Sequence, residues 1–256
     1  MNTAAALDGF ASFGAMHLAV VCVCAALLVG VAMVGRRLRG SPDERQTRTA
    51  LAVFALAYWV AYNTWWNWGG FDLRTGLPLQ ACDVSGLAAP FALLTLNRWL
   101  RSTLYFWAFA FATMAFIQPT LTLGPAHVVF WAFWLAHVVV LACAVYDLAA
   151  LGFRPGWGDV VRAAVVAIGW AAVVLPIDLW LGANYGYIGN PPAGTWMPPL
   201  VAAFGPWPER LVVIAALAAV VFLGLLAPWR VAKRLGVFTA PSDQAQPEGA
   251  EESLSV

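Results

Sequence analysis

Leu77-Pro-Leu-Gln-Ala-Cys-Asp-Val-Ser-Gly-Leu-Ala-Ala-Pro90 places a cysteine beside a carboxylate at the mouth of an apolar segment. Proline is tolerated in the first turn of a helix, where its missing N–H costs nothing, so the spacing predicts a helix opening at Pro78. Cys82 then falls within about one turn of that end. Unpaired amides and the positive helix dipole favour a thiolate there, whereas lipid around it disfavours the charge. The plain reading of Cys82 is a small packed hydrophobe. The chemical one is a nucleophile.

The chain around this stretch is built for lipid. Of its 256 residues 62% are hydrophobic and 11% charged, against roughly 25% charged in a soluble domain. Mean hydropathy is +0.75. The net charge of +1 gives no case for nucleic acid. The four cysteines lie in or beside apolar runs without paired spacing, which argues against a disulfide framework. Cys22 and Cys24, two apart on one helix, point in different directions and read as packing residues, as does Cys143. The first apolar run is too long for a cleavable signal peptide and carries its basic run after it rather than before.

A membrane span needs about 20 apolar residues. The hydropathy pattern predicts an all-α bundle of seven transmembrane helices over about 10–35, 49–68, 78–96, 102–118, 126–146, 159–180 and 209–229. These form one domain, 1–232, followed by a polar tail, 233–256, expected to be cytoplasmic and disordered. Tyr58 to Trp68 reads as an interfacial aromatic belt. With seven spans, Arg36, Arg37, Arg39, Arg45, Arg48, Arg98, Arg101, Arg154, Arg162, Arg230, Lys233 and Arg234 fall on one side. Only Arg74 and Arg210 of the 14 basic residues fall on the other. The positive-inside rule then puts the N-terminus outside and the C-terminus inside a multi-pass protein of the cell membrane.

Polar residues inside spans are costly and normally face the bundle interior. Here they gather in the outer half: His17 in helix 1, Asn63 and Asn67 four apart on helix 2, Gln80, Cys82 and Asp83 on helix 3, Gln118 and His127 around the next outer turn, Asp178 near the outer end of helix 6, and Asn184 and Tyr185 in the loop after it. Several have plain readings. Asn63 and Asn67 can bond between helices, His127 can be a wetted interfacial residue, Asp178 a helix-end carboxylate and His17 a satisfied core histidine. His137 lies near mid-bilayer among Trp131, Phe133 and Trp134, where a lone imidazole marks function.

These elements are familiar together. Leu77-Pro-Leu-Gln-Ala-Cys-Asp83 resembles the LPLHLCD signature of the bacterial YwaF-type integral membrane proteins, whose superfamily includes the eukaryotic transmembrane protein 164. The resemblance continues through Tyr105-Phe-Trp107, Gln118-Pro119, Phe130-Trp131-Ala-Phe-Trp-Leu-Ala-His137, Asp178-Leu-Trp-Leu-Gly-Ala-Asn184-Tyr185 and Gly205-Pro-Trp-Pro208. With His17 it covers about residues 10–230. It implies lipid chemistry: an acyltransferase that moves fatty acyl chains between phospholipids by means of a cysteine nucleophile and a histidine base, roles that fall on Cys82 and His137. The related androgen-induced proteins hydrolyse fatty-acid esters with a threonine and a histidine. Where the signature has histidine this chain has Gln80, so a base or ligand at that place is missing here.

The chemistry suits these residue types. A thiol attacks an ester as thiolate with a base in hydrogen-bond reach, and histidine has the right basicity. Asp83 and Asp178 are candidate orienters, and the first amides of helix 3 and Asn184 candidate oxyanion donors. Counting 1.5 Å per residue from the inner boundary puts Cys82 roughly 9 Å above His137, beyond direct contact. A helix 3 that starts deeper, beneath a dipped Leu77–Gln80 segment, closes that gap. Otherwise His17 is the better base. The competing readings are a small-molecule transporter or channel lined by Asn63, Asn67, Asp83 and Asp178, and a non-catalytic scaffold. No inverted repeat supports transport. No metal-ligand spacing such as C-x-x-C supports a metal or cofactor, so none is expected, and membrane lipids are the expected partners.

Overall fold

A computed structural model describes residues 8–236; the expected tail falls outside them from residue 237 on. The described chain is helical, and its one bridge of β type joins Gly9 to Leu123. Seven long helices follow in order: α1 (Ala15–Leu38), α2 (Glu44–Trp66), α3 (Ala81–Thr95), α4 (Arg98–Ile117), α5 (Val128–Ala149), α6 (Trp157–Leu181) and α7 (Glu209–Arg234). Five of them, α1, α4, α5, α6 and α7, are long and apolar enough to cross a membrane. The tyrosines, tryptophans and asparagines of α2 lower its hydropathy, and α3 has only 15 residues.

The helices sort into inner and outer. Over half of the apolar window of α4 and α5 is buried (56%), against 11% for α1, α6 and α7. Those outer three show Leu18, Met33, Ile168, Val173, Val212 and Val220 to their surroundings, as lipid-facing helices do. Between α2, α3, α4 and α5 the contact layer is made of small side chains, among them Ala52, Ala55, Ala89, Ala92, Ala108 and Ala144. Small residues let backbones approach closely where apolar lipid offers no driving force for association.

One end of the bundle is clamped by charge. Arg101 of α4 reaches Asp147 of α5, with Nε 3.0 Å from both carboxylate oxygens. Asp159 of α6 accepts from Arg98, Arg162 and Ser102. Arg98 and Arg101 both lie over the Phe153 ring. At the opposite end Phe10 donates to Thr122, and Leu200 donates its amide to Gln118 Oε1.

Two features depart from the sequence expectation. Helix 3 does not open at Pro78 but at Ala81, because the Asp83 carboxylate accepts the Gln80 N–H at 3.1 Å and makes Gln80 the N-cap. Fifteen residues rise only about 22 Å, short of the roughly 30 Å hydrocarbon layer. The irregular Leu77–Gln80 segment leads into the helix. Its backbone is satisfied from within the protein: the Tyr185 hydroxyl accepts the Leu77 N–H at 3.0 Å and Trp170 Nε1 donates to the Leu79 carbonyl at 3.0 Å. The second departure is in α4, where Ala108–Ala112 widens to a π-turn, with the Thr113 N–H bonding the Ala108 carbonyl.

Candidate active site

Cys82 and His137 line one narrow cavity of about 60 Å³, walled by Tyr58, Trp59 and Tyr62 of α2, Asp83 and Gly86 of α3 and Val140 of α5. The walls are pinned: Tyr58 O–H donates to the Ala132 carbonyl at 2.7 Å and Trp59 Nε1 to the Asp83 carbonyl at 2.9 Å. Gly86 sits one turn below Cys82 on the same face, and a Cβ there would meet Trp59 Cδ1 at 2.8 Å. Only glycine lets α2 and α3 approach this closely.

His137 Nδ1 is 2.7 Å from the Phe133 carbonyl one turn back on α5. A carbonyl only accepts, so Nδ1 carries the proton and Nε2 is left as the basic nitrogen. Nε2 has no hydrogen-bond partner among the described residues. Neither Asp83 nor Asp178 orients the ring, as the sequence had suggested; the Phe133 carbonyl does. The i, i−4 spacing of Phe133 and His137 was the available signal. Cys82 occupies the second helical position of α3, and the Ala81 amide one residue before it has no acceptor among the described residues. It is a donor free to meet a developing oxyanion.

The loop after α6 folds over this helix start. Gln80 Oε1 accepts the Gly186 N–H at 2.7 Å, which is the role the Gln80 side chain plays where the signature has histidine. Gly186 has φ +62, and a Cβ on it would lie 2.1 Å from the Trp170 ring. The next residue, Tyr187, also has a positive φ (62), an uncommon geometry for a non-glycine residue that clusters at functional sites. Its phenol lies close enough to Cys82 for their charges to interact, and burial pushes it up to about 12, so it stays a neutral donor. The sequence reading did not single out Tyr187.

The other candidates do not line this cavity. His17 is held at both nitrogens, accepting the Phe13 N–H at Nδ1 (2.9 Å) and donating from Nε2 to the Phe116 carbonyl (3.0 Å), and it stacks on Trp134. It does not line the cavity, so the structure does not bring the alternative base to Cys82. Asn63 and Asn67 bond back along their own helix, and Asn67 also donates to the Gly76 carbonyl, closing the loop before α3. Asp178 Oδ1 accepts the Tyr185 N–H while Oδ2 and Asn184 Oδ1 are buried without a partner. Tyr185 O–H donates to the Leu73 carbonyl. His127 stands 4.0 Å from Asp8 at the surface. The described residues hold no cluster of three or more metal-ligating side chains.

Residues 12–226, most of the chain and the whole of this site, match the TMEM164 family. The chain belongs to the TMEM164 family. No curated protein and no solved structure matches it. Within the family match lie all seven helices' cores, the Leu77–Asp83 stretch, His137 and the loop over α3, so the cavity is part of the family's common region rather than an appendage. Family and apolar helices together make this a membrane protein.

Proposed function

We propose that this TMEM164-family protein is an intramembrane lipid acyltransferase or ester hydrolase acting on phospholipid-type substrates, of the kind the YwaF-type resemblance implies. Cys82 is the nucleophile and His137 the base. The observation that carries the reading is the shared cavity of the two side chains, with the imidazole held in the tautomer that leaves Nε2 basic. Nε2 takes the thiol proton as sulfur attacks the ester carbonyl carbon. The oxyanion that forms is met by the Ala81 amide and the Tyr187 hydroxyl. The C–O bond then breaks, Nε2–H returns its proton to the departing lysolipid oxygen, and a thioester remains on Cys82. A second hydroxyl, from a lysolipid or water, gives its proton to Nε2 and attacks the thioester, releasing the thiolate.

We also infer seven crossings, with the N-terminus outside and the C-terminus inside. The short α3 crosses with the help of Leu77–Gln80, and α2 crosses packed against α3 and α5. Twelve of the 14 basic residues then lie on the cytoplasmic side, and the site opens toward the outer leaflet of the cell membrane. The test follows a fluorescent acyl chain from a phospholipid to an acceptor in nanodiscs. Cys82→Ser should fall to background and His137→Asn by about 10²–10⁴-fold. Transfer by Cys82→Ser at the wild-type rate would remove the thiol from the mechanism.

A further inference from the structure

Arg210 is 5% exposed, in the first turn of α7, and its charge is unanswered. No carboxylate lies within ion-pair distance of it among the described residues. Its Nε donates to the Tyr187 carbonyl at 2.9 Å and Nη2 to the Gly189 carbonyl at 2.6 Å. Asp178 spends one oxygen on the Tyr185 amide and leaves the other without a partner among the described residues instead of pairing with the guanidinium. Nη1 has no partner. A cation is also least welcome at a helix N-terminus, where the dipole is positive. A buried charge that is neither paired nor placed in a favourable field is expensive, and such a group is retained where an outside anion completes it.

The geometry of the remaining donors names the anion. With Nε and one Nη2 proton used by carbonyls, the Nη1/Nη2 edge presents a planar fork, the arrangement that matches two oxygens of a phosphate. Its position ties it to the cavity. The loop whose Tyr187 and Gly189 carbonyls hold Arg210 is the one that bonds the start of α3, through Gly186 N–H to Gln80 Oε1, two residues before Cys82. In a glycerophospholipid the phosphodiester and the ester carbonyls are likewise separated by a few bonds. Arg210 is also one of only two basic residues on the outer side, where the headgroup layer lies.

We propose that Arg210 is the phosphate-binding residue of this site, taking the phosphodiester of a glycerophospholipid whose acyl ester lies at Cys82. The assignment rests on the lipid-substrate reading above, but its test does not need turnover. Equilibrium binding is measured on full-length wild type and on Cys82→Ser in a neutral detergent. The probes are oleoyl lysophosphatidylglycerol, 1-oleoylglycerol, which has the same chain without phosphate, and inorganic phosphate. The expected result is a preference for the phosphate-bearing lipid of roughly 10–100-fold. It should be lost in Arg210→Gln and cut in Arg210→Lys, whose ammonium has no fork, with the 1-oleoylglycerol affinity held within about twofold. Should Arg210→Gln fail to fold, the wild-type preference and Arg210→Lys decide. No preference in wild type, or equal weakening of both lipids in the variants, overturns the assignment. Inorganic phosphate binding as tightly as the lysolipid makes the ligand a free anion and overturns the lipid part. If acyl transfer is absent while the preference holds, it is the catalytic reading that fails and not this one.

Discussion

Gly186→Ala should be among the most damaging single-methyl insertions in the protein, and its cost can be worked from the contacts. The backbone at Gly186 is left-handed (φ +62), which costs a residue with a Cβ about 1–2 kcal/mol. The new Cβ would stand 2.1 Å from Trp170 Cη2 and 2.6 Å from Cζ2, so the indole must swing away. Swinging breaks the bond from Trp170 Nε1 to the Leu79 carbonyl and leaves polar groups unpaired beside the irregular segment, at about 1–3 kcal/mol. The sum is about 2–5 kcal/mol. Gly194→Ala is the matched control: its φ is +85, yet nothing lies within 4 Å of its Cβ, so it should carry the backbone part alone. Thermal unfolding in detergent should separate the two by about 2–12 °C, at about 2–4 °C per kcal/mol for a chain of this size. Because Gly186 also donates to Gln80 at the cap of α3, Cys82 reactivity should fall with stability. Equal melting of the two variants would refute the idea that the loop is docked through Trp170.

Other perturbations separate the roles of neighbouring residues. Gly86→Ala pushes on Trp59 at 2.8 Å and should cost about 1–3 kcal/mol while closing the cavity, read as slowed modification of Cys82 by an acyl probe. His17→Phe removes both hydrogen bonds of a buried ring and should lower stability by about 1–3 kcal/mol, yet leave the rate per folded molecule unchanged; a rate loss like that of His137→Asn would make His17 the base. Arg101→Met strands the buried Asp147 and should cost about 3–5 kcal/mol in chemical unfolding, with Arg101→Met/Asp147→Leu recovering most of it.

The helices were legible because a run of about 20 apolar residues has few other fates in a chain this hydrophobic. Cys82 and His137 stood out because of their type and depth. The rest was hidden in contacts that sequence spacing does not report. Pro78 signalled a helix start, but the Asp83 carboxylate three residues after Gln80 fixed the cap and carried the start to Ala81. The partner of His137 is a backbone carbonyl, and every residue type supplies one, so a search for carboxylates misses it. The loop that holds Tyr187 and binds Arg210 of α7 reaches α3 through bonds between Gly186 and Gln80 and between Leu77 and Tyr185, more than 100 positions apart.

The central claim is that Cys82 and His137 act together on an acyl ester, and the most direct test is to look for the covalent intermediate. Wild-type protein is incubated with a short-chain phospholipid, quenched in acid, and its intact mass and peptide map are recorded. The account predicts one acyl group on Cys82, removable by neutral hydroxylamine as a thioester is, and its loss in both Cys82→Ser and His137→Asn. An adduct on another residue, or acyl transfer that proceeds at full rate in Cys82→Ser, would contradict it.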